Sequence, residues 1–163
     1  MGYFIFLFIL LSNLFQPLIF SGKVIGIKDG DTIEVFYAGK SITVRLAEID
    51  CPEKKQPYGQ KAKEFTSRLC FNKTVIIQQQ GKKDRYHRVI GTVFVNSKSL
   101  NEELIKAGLA WHYKEYSKRT YYSVLEQIAK SEKSGIWSDQ SAIAPWTWRR
   151  IQSSKIGSKA LTI

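Results

Sequence analysis

Between Lys23 and Leu46 apolar and polar residues alternate with period two, and two tight turns punctuate the pattern. Val24, Ile25 and Ile27 form a short apolar run that ends at Asp29-Gly30-Asp31. Ile33 and Val35 then share one face of a second segment, and Ala38-Gly39-Lys40 turns the chain again. In the third segment Ile42, Val44 and Leu46 alternate with Thr43 and Arg45. Successive side chains of a strand point to opposite faces, so the apolar set faces a core and Arg45 projects from the other side. Short strands joined by tight turns read as an antiparallel meander.

Beyond the meander the period changes. Pro52 and Pro57 bracket a loop, and Ala62, Phe65 and Leu69 recur at helical spacing, which predicts a helix from about Gly59 to Cys70. Val75 to Ile77 begins a further strand, Gly81-Lys82-Lys83-Asp84 is a turn, and Val89 to Val95 is a β-branched strand. Gly91 inside it marks a bulge or a sharp bend. Ser99 followed by Glu102 is a capping box, so a helix runs from Leu100 to Ala107 and stops at Gly108. A last helix carries Val124, Leu125, Ile128 and Ala129, and Gly135 closes it. Strands at the front with helices inserted and appended make an α+β plan. Five short, bent strands with about three helices fit a small barrel of the OB type. Residues 22–138 form one domain. The extension 139–163, with Trp146, Trp148, Arg149 and Arg150, reads as a packing and solubility tail, although tryptophans beside arginines can also stack on bases.

Residues 1–20 carry no Asp, Glu, Lys, Arg or His, and 15 of them are apolar. Such a run reads as an export signal or a membrane anchor, occupying residues 1–21, although the basic start of a secretory signal is missing. A buried N-terminal helix would show a polar face, and this segment has none. The expectation is an exported protein, secreted or held at the cell envelope, with possible attachment to a membrane through residues 1–20. All the charge falls on the rest of the chain, where 25 Lys and Arg against 14 Asp and Glu give a net charge of +11. Such a basic surface attracts nucleic-acid phosphate. In an oxidising compartment Cys51 and Cys70 could form a disulfide, and otherwise they are two buried thiols. With His87 and His112 they match no zinc spacing.

Polar groups gather where strands end. Asp31 opens the second strand, Asp50 and Glu53 follow the third, Arg45 lies on its outer face, and Arg88 precedes the fifth. Paired carboxylates favour a hard, oxygen-liganded cation, and the planar fork of arginine suits phosphate. Together they suit metal-assisted phosphodiester hydrolysis.

The motifs Asp29-Gly30-Asp31-Thr32, Arg45-Leu46-Ala47-Glu48-Ile49-Asp50-Cys51-Pro52-Glu53, Tyr58-Gly59 and Asp84-Arg85-Tyr86-His87-Arg88 resemble the staphylococcal nuclease family, the thermonucleases. Asn101 to Ala110 and Gly135-Ile136-Trp137 resemble its helical half. The resemblance implies an OB-type barrel and a calcium-dependent nuclease, acting as a monomer on DNA and RNA. It implies Asp31 and Asp50 as carboxylate ligands of Ca²⁺, with the backbone carbonyl of Cys51 as a third. It implies Glu53 as the base or the positioner of the attacking water, and Arg45 and Arg88 as the clamp on the scissile phosphate. Arg85, Tyr86 and Tyr116 match nucleotide-contacting positions. Cys51 stands where the best-known members have threonine, and His87 where they have glycine. A non-catalytic OB-type module that only binds nucleic acid is the alternative, but it would not need the five charged positions Asp31, Arg45, Asp50, Glu53 and Arg88. A basic protein of the membrane surface would leave them equally unexplained.

Overall fold

The computed structural model describes residues 18–160, with side chains described as far as Ser154. The export and anchor expectation therefore lies mostly outside the described residues. The meander forms as expected: β1 (Ile19–Asp29), β2 (Thr32–Tyr37) and β3 (Lys40–Leu46) pair antiparallel, with Ile33 opposite both Ile27 and Val44. β1 starts four residues earlier than the alternating pattern suggests. Phe20 is buried, pairs with Ile77 and rests on the Tyr37 ring at 4.4 Å, so the end of the uncharged segment is already barrel.

A two-residue strand β4 (Ile49–Asp50) leads through the Pro52–Pro57 loop to helix α1 (Gly59–Cys70). β5 (Thr74–Gln79) pairs with β1, and β6 (Val89–Val95) pairs with β5. β6 also runs parallel to β3, with Val44 opposite Val89 and Arg45 opposite Ile90, which closes a five-stranded barrel. Gly91 sits at this closure, facing both Gln79 and Leu46. A Cβ there would lie 2.8 Å from the Gln78 carbonyl oxygen, so only glycine lets the strands approach.

β7 (Lys98–Ser99) introduces helix α2 (Leu100–Lys106), whose first turn is capped by the Ser99 hydroxyl accepting from the Glu102 amide. Buried Asn101 ties α2 to the barrel: its amide donates to the Ala47 carbonyl and its oxygen accepts from the Val93 N–H. A second small ladder joins β4 to β8 (Trp111–His112). Helices α3 (Thr120–Ser131) and α4 (Pro145–Ala160) follow, with one 3₁₀ turn between them at Gly135–Ser138. Four α-helices thus stand among the described residues, one more than expected.

The apolar residues of helix α3 divide between its buried and its exposed face. Val124 and Ile128 are about half exposed, while Tyr122, Leu125, Glu126 and Ala129 are buried. Glu126 can be buried because its carboxylate accepts from the His112 N–H and pairs with Lys130 and Lys114. The cysteines are two separate buried thiols, not a disulfide. Cys70 donates to the Thr66 carbonyl one helical turn back. Val24, Ile33, Val35, Val44, Val75, Ile77 and Val93 fill the barrel and are fully buried.

Candidate active site

The site lies where β1, β3 and β4 end beside the start of α1. Asp29-Gly30-Asp31 makes the β1–β2 turn, with the Asp29 carboxylate accepting from the Asp31 N–H. Gly30 is required by packing: a Cβ there would lie 2.7 Å from the Ala62 Cβ and 2.8 Å from the Cys51 Cβ. The turn is thus pressed against α1 and the β4 exit, which aims Asp31 inward. Asp31 and Asp50 are both buried, with only 5% and 1% of their surface exposed.

One guanidinium organises these carboxylates. Arg45 Nε lies 3.1 Å from Asp31 Oδ1, and Nη2 donates to Asp50 Oδ1 at 2.8 Å. Nη1 donates to the Leu46 and Ile49 carbonyls at 2.7 and 2.9 Å. The fork therefore fixes the β3–β4 turn and both carboxylates at once. Burial pushes the Asp31 carboxyl above its ordinary range; Arg45 opposes this, while Asp29 and Asp50 add to it. Burial also works against charge on Arg45, but Asp31 and Asp50 outweigh it and raise its pKa. Cys51 contributes through its backbone: its N–H donates to Asp31 Oδ2 at 2.6 Å, and burial pushes its thiol up. That contact comes from the main chain and does not depend on the side chain at position 51.

Glu53 follows Pro52 on the rim and is half exposed. Its position depends on a closed loop. The Glu53 N–H donates to Gln56 Oε1, the Gln56 N–H to the Glu53 carbonyl, and the Gly59 N–H to the Gln56 carbonyl. A Cβ at position 59 would lie 1.9 Å from the Glu53 carbonyl oxygen, so the Tyr58-Gly59 motif has a steric cause.

Arg88 stands apart from this cluster in its bonding. Its Nε and Nη2 both lie 2.8 Å from Asp84 Oδ2, and Asp84 Oδ1 accepts from the Arg88 and Tyr86 amides. Slight burial works against charge on Asp84, but these bonds prevail and hold its pKa low. His87 takes the left-handed conformation, φ +60°, a conformation that favours glycine. Arg45 faces Ile90 across the β3–β6 ladder, and Arg88 immediately precedes β6. Arg85 lies over the Tyr86 ring at 4.8 Å, and both are exposed. Tyr116 is 68% exposed and packs edgewise on Tyr113.

Two site residues escaped the sequence reading. Tyr113 donates its N–H to the Glu48 carbonyl and stacks face to face on Trp146 at 5.1 Å. Burial raises its phenol pKa, and the Glu115 and Asp50 charges add to that. The other is Arg149 of α4, in the segment expected to be only a tail. Its Nη2 lies 2.8 Å from Asp50 Oδ2 and its Nη1 2.6 Å from Glu53 Oε1. Partial burial opposes its charge, and the bonds to Asp50 and Glu53 more than offset this, raising its pKa. The only local cue was Trp-Thr-Trp-Arg-Arg directly after a proline.

Comparison with known proteins agrees with this arrangement. The family described as "Staphylococcal nuclease homologue" matches residues 43–139. An uncharacterized endonuclease of Haemophilus influenzae is 43% identical over 129 residues, covering 78% of this chain and 72% of that protein. The micrococcal nuclease of Shigella flexneri is 36% identical over 142 residues, covering 80% and 81% respectively. A staphylococcal-like nuclease of Arabidopsis thaliana, CAN1, is 35% identical over 111 residues, covering 68% and 34%. The matched span includes Arg45, Asp50, Glu53 and Arg88, and the barrel closes as an OB-type fold around them. The chain belongs to the staphylococcal nuclease family.

Proposed function

We propose that the protein is a calcium-dependent nuclease that hydrolyses phosphodiester bonds of DNA and RNA at the Asp31–Arg45–Asp50–Glu53 cluster. One observation carries the reading: two buried carboxylates converge on a single guanidinium, with a third carboxylate at the solvent rim beside them. Among the described residues no three His, Cys, Asp or Glu side chains gather as a ligand set. Two carboxylates with backbone oxygen fit a hard cation that keeps several waters, and do not fit zinc. Asp31, Asp50 and the Cys51 carbonyl would hold that ion. Bound there, calcium would supply positive charge against the phosphate and its developing oxyanion.

The remaining roles fall to the chain. Arg45 has its Nε toward Asp31, and both Nη1 hydrogens and one Nη2 hydrogen engaged. One N–H is left to meet a phosphate oxygen, so Arg45 binds phosphate from a fixed position. Arg88 would exchange part of its grip on Asp84 for the phosphate and offset charge as the pentacoordinate state forms. Glu53, half exposed and close to Asp50 through Arg149, would accept the proton of the attacking water or orient it. Arg85, Tyr86 and Tyr116 form exposed surface suited to the flanking nucleotide. Export or membrane attachment through the uncharged run of residues 1–20 is part of the same proposal and stands on its composition, with Ile19 and Phe20 at its end already in β1.

The test is cleavage of plasmid DNA and of RNA by the full chain. Chelation should abolish cleavage and calcium restore it. Glu53→Gln should lower turnover roughly 10²–10⁴-fold while leaving DNA binding near normal. Undiminished cleavage in excess EGTA, or normal turnover by Glu53→Gln, would refute the assignment.

A further inference from the structure

We propose that Arg149 is a built-in occupant of the cation site: its guanidinium neutralises Asp50 and Glu53 in place of the divalent ion and must leave Asp50 before that ion can bind. This rests on Asp31 and Asp50 being the cation's ligands. It adds that helix α4 sets how tightly they take it.

The bonding pattern shows why the two occupancies exclude each other. Asp50 Oδ1 accepts from Arg45 and also lies 3.4 Å from Arg149 Nη1, while Oδ2 is engaged by Arg149 Nη2. Both oxygens already face guanidinium nitrogens, so a cation ligated by Asp50 has to share an oxygen with an arginine or displace it, and sharing sets two positive charges against each other. The arginines differ in how easily they leave. The Arg45 side chain is 14% exposed and is bonded to two backbone carbonyls besides its carboxylates. The Arg149 side chain is 44% exposed and touches the site only at its tip.

Charge balance points the same way. Asp29, Asp31, Asp50 and Glu53 against Arg45 leave three negative charges, and Arg149 cancels one of them. A divalent ion seated on Asp50 beside Arg149 would meet a like charge at the same carboxylate, where the two cations repel each other. Exchange at Asp50 is therefore favoured over joint occupancy there.

The approach of Arg149 is built into the packing of α4. Trp146 stacks on Tyr113 with its ring nearly parallel, and meets Trp111 edgewise at 5.7 Å. Trp148 helps to line a small cavity of about 140 Å³ with Gln56, Pro57 and Tyr58, and the Gln56 side chain donates to the Ile143 carbonyl. The helix is thus anchored both on the β8 side of the site and on the loop that carries Glu53. Arg149 lies beyond residues 43–139, the span that the family description matches.

Calorimetric titration of the full chain with calcium chloride tests the proposal. Loss of a charge-assisted hydrogen bond of this kind is worth enough that Arg149→Ala and Arg149→Gln should bind calcium about tenfold more tightly. Arg149→Lys should fall between them and the unaltered protein, because an ammonium keeps the charge and loses the fork. Arg150→Ala removes the same charge from the next, exposed position and should leave the affinity unchanged. Thermal melting of each variant verifies folding, and the two replacements at 149 guard against an idiosyncratic one. Affinity that is unchanged or weaker in Arg149→Ala and Arg149→Gln would overturn the proposal. So would an equal gain in Arg150→Ala, which would make the effect one of general charge. Reduced turnover at saturating calcium with unchanged affinity would also overturn it, making Arg149 a positioning residue for Glu53. No calcium binding by any form, with Asp50→Asn as the reference for a lost ligand, would refute the cation reading itself.

Discussion

Arg45→Ala should be among the most damaging substitutions in this chain, and for stability as much as for activity. Asp31 and Asp50 have side chains 7% and 2% exposed, and Arg45 is bonded to both. Removing one partner of a buried ion pair costs about 3–5 kcal/mol, because the other charge stays buried without compensation. The Leu46 and Ile49 carbonyls lose their donors as well, worth on the order of 1 kcal/mol each, although such losses do not add fully. Arg149 reaches Asp50 but has no contact with Asp31, so it cannot make good the loss. A value of about 4 kcal/mol takes a large share of the roughly 5–15 kcal/mol that holds a domain together. At about 2–4 °C per kcal/mol for a domain of this size, Tm should fall by roughly 10 °C or more. Arg45→Lys should lose about half as much, since it keeps the charge but cannot serve two carboxylates and two carbonyls at once. Urea unfolding in EGTA measures both variants, and calcium should restore more stability to Arg45→Ala than it adds to the unaltered protein. A loss below about 1 kcal/mol for Arg45→Ala in EGTA, or no difference between Ala and Lys, would show that Arg45 is not the keystone described above.

Two further outcomes follow from positions outside that ion pair. Gly59→Ala should displace the Glu53 loop, because the new Cβ has no room against the Glu53 carbonyl; cleavage should fall at least tenfold with a lower Tm, and a normal rate would separate the loop from catalysis. His112 is buried, with Nδ1 3.0 Å from the Ser123 hydroxyl, and burial lowers its pKa against the opposing pull of Glu126. The unfolded chain therefore binds a proton on His112 at a higher pH than the folded one, so stability is full above about 6.5 and falls as the pH drops through that value. The slope from one group cannot exceed about 1.4 kcal/mol per pH unit. Urea midpoints at pH 7.5 and 5.5 measure this, and an unchanged pH dependence in His112→Gln would assign it to other groups.

What could be read from the sequence divides along the range of the interactions. The meander, the α1 boundaries and the Ser99 cap depend on neighbours within a few positions, and all appear where the pattern places them. Arg45 and Asp50 were legible because the fork spans only five residues. The start of β1 at Ile19 was hidden because the preceding residues are apolar without interruption by charge, so no alternation marks where barrel begins. β4 and β8 are two residues each, too short to show any period. On α3 the four apolar residues divide between the buried Leu125 and Ala129 and the half-exposed Val124 and Ile128, and Glu126 is buried by an i,i+4 pair with Lys130 together with Lys114 from outside the helix. The same holds at the site itself. Clustering Asp31, Asp50 and Glu53 is costly for the fold, and charge must come from somewhere to offset it. Arg45 supplies part of it from the same motif, while Arg149 arrives from 99 residues further along the chain, carried on a helix whose hold is a tryptophan stacked on Tyr113. Local sequence shows the carboxylates and one of their counter-ions. Only the packing of α4 reveals the second, which is also the more exposed of the two.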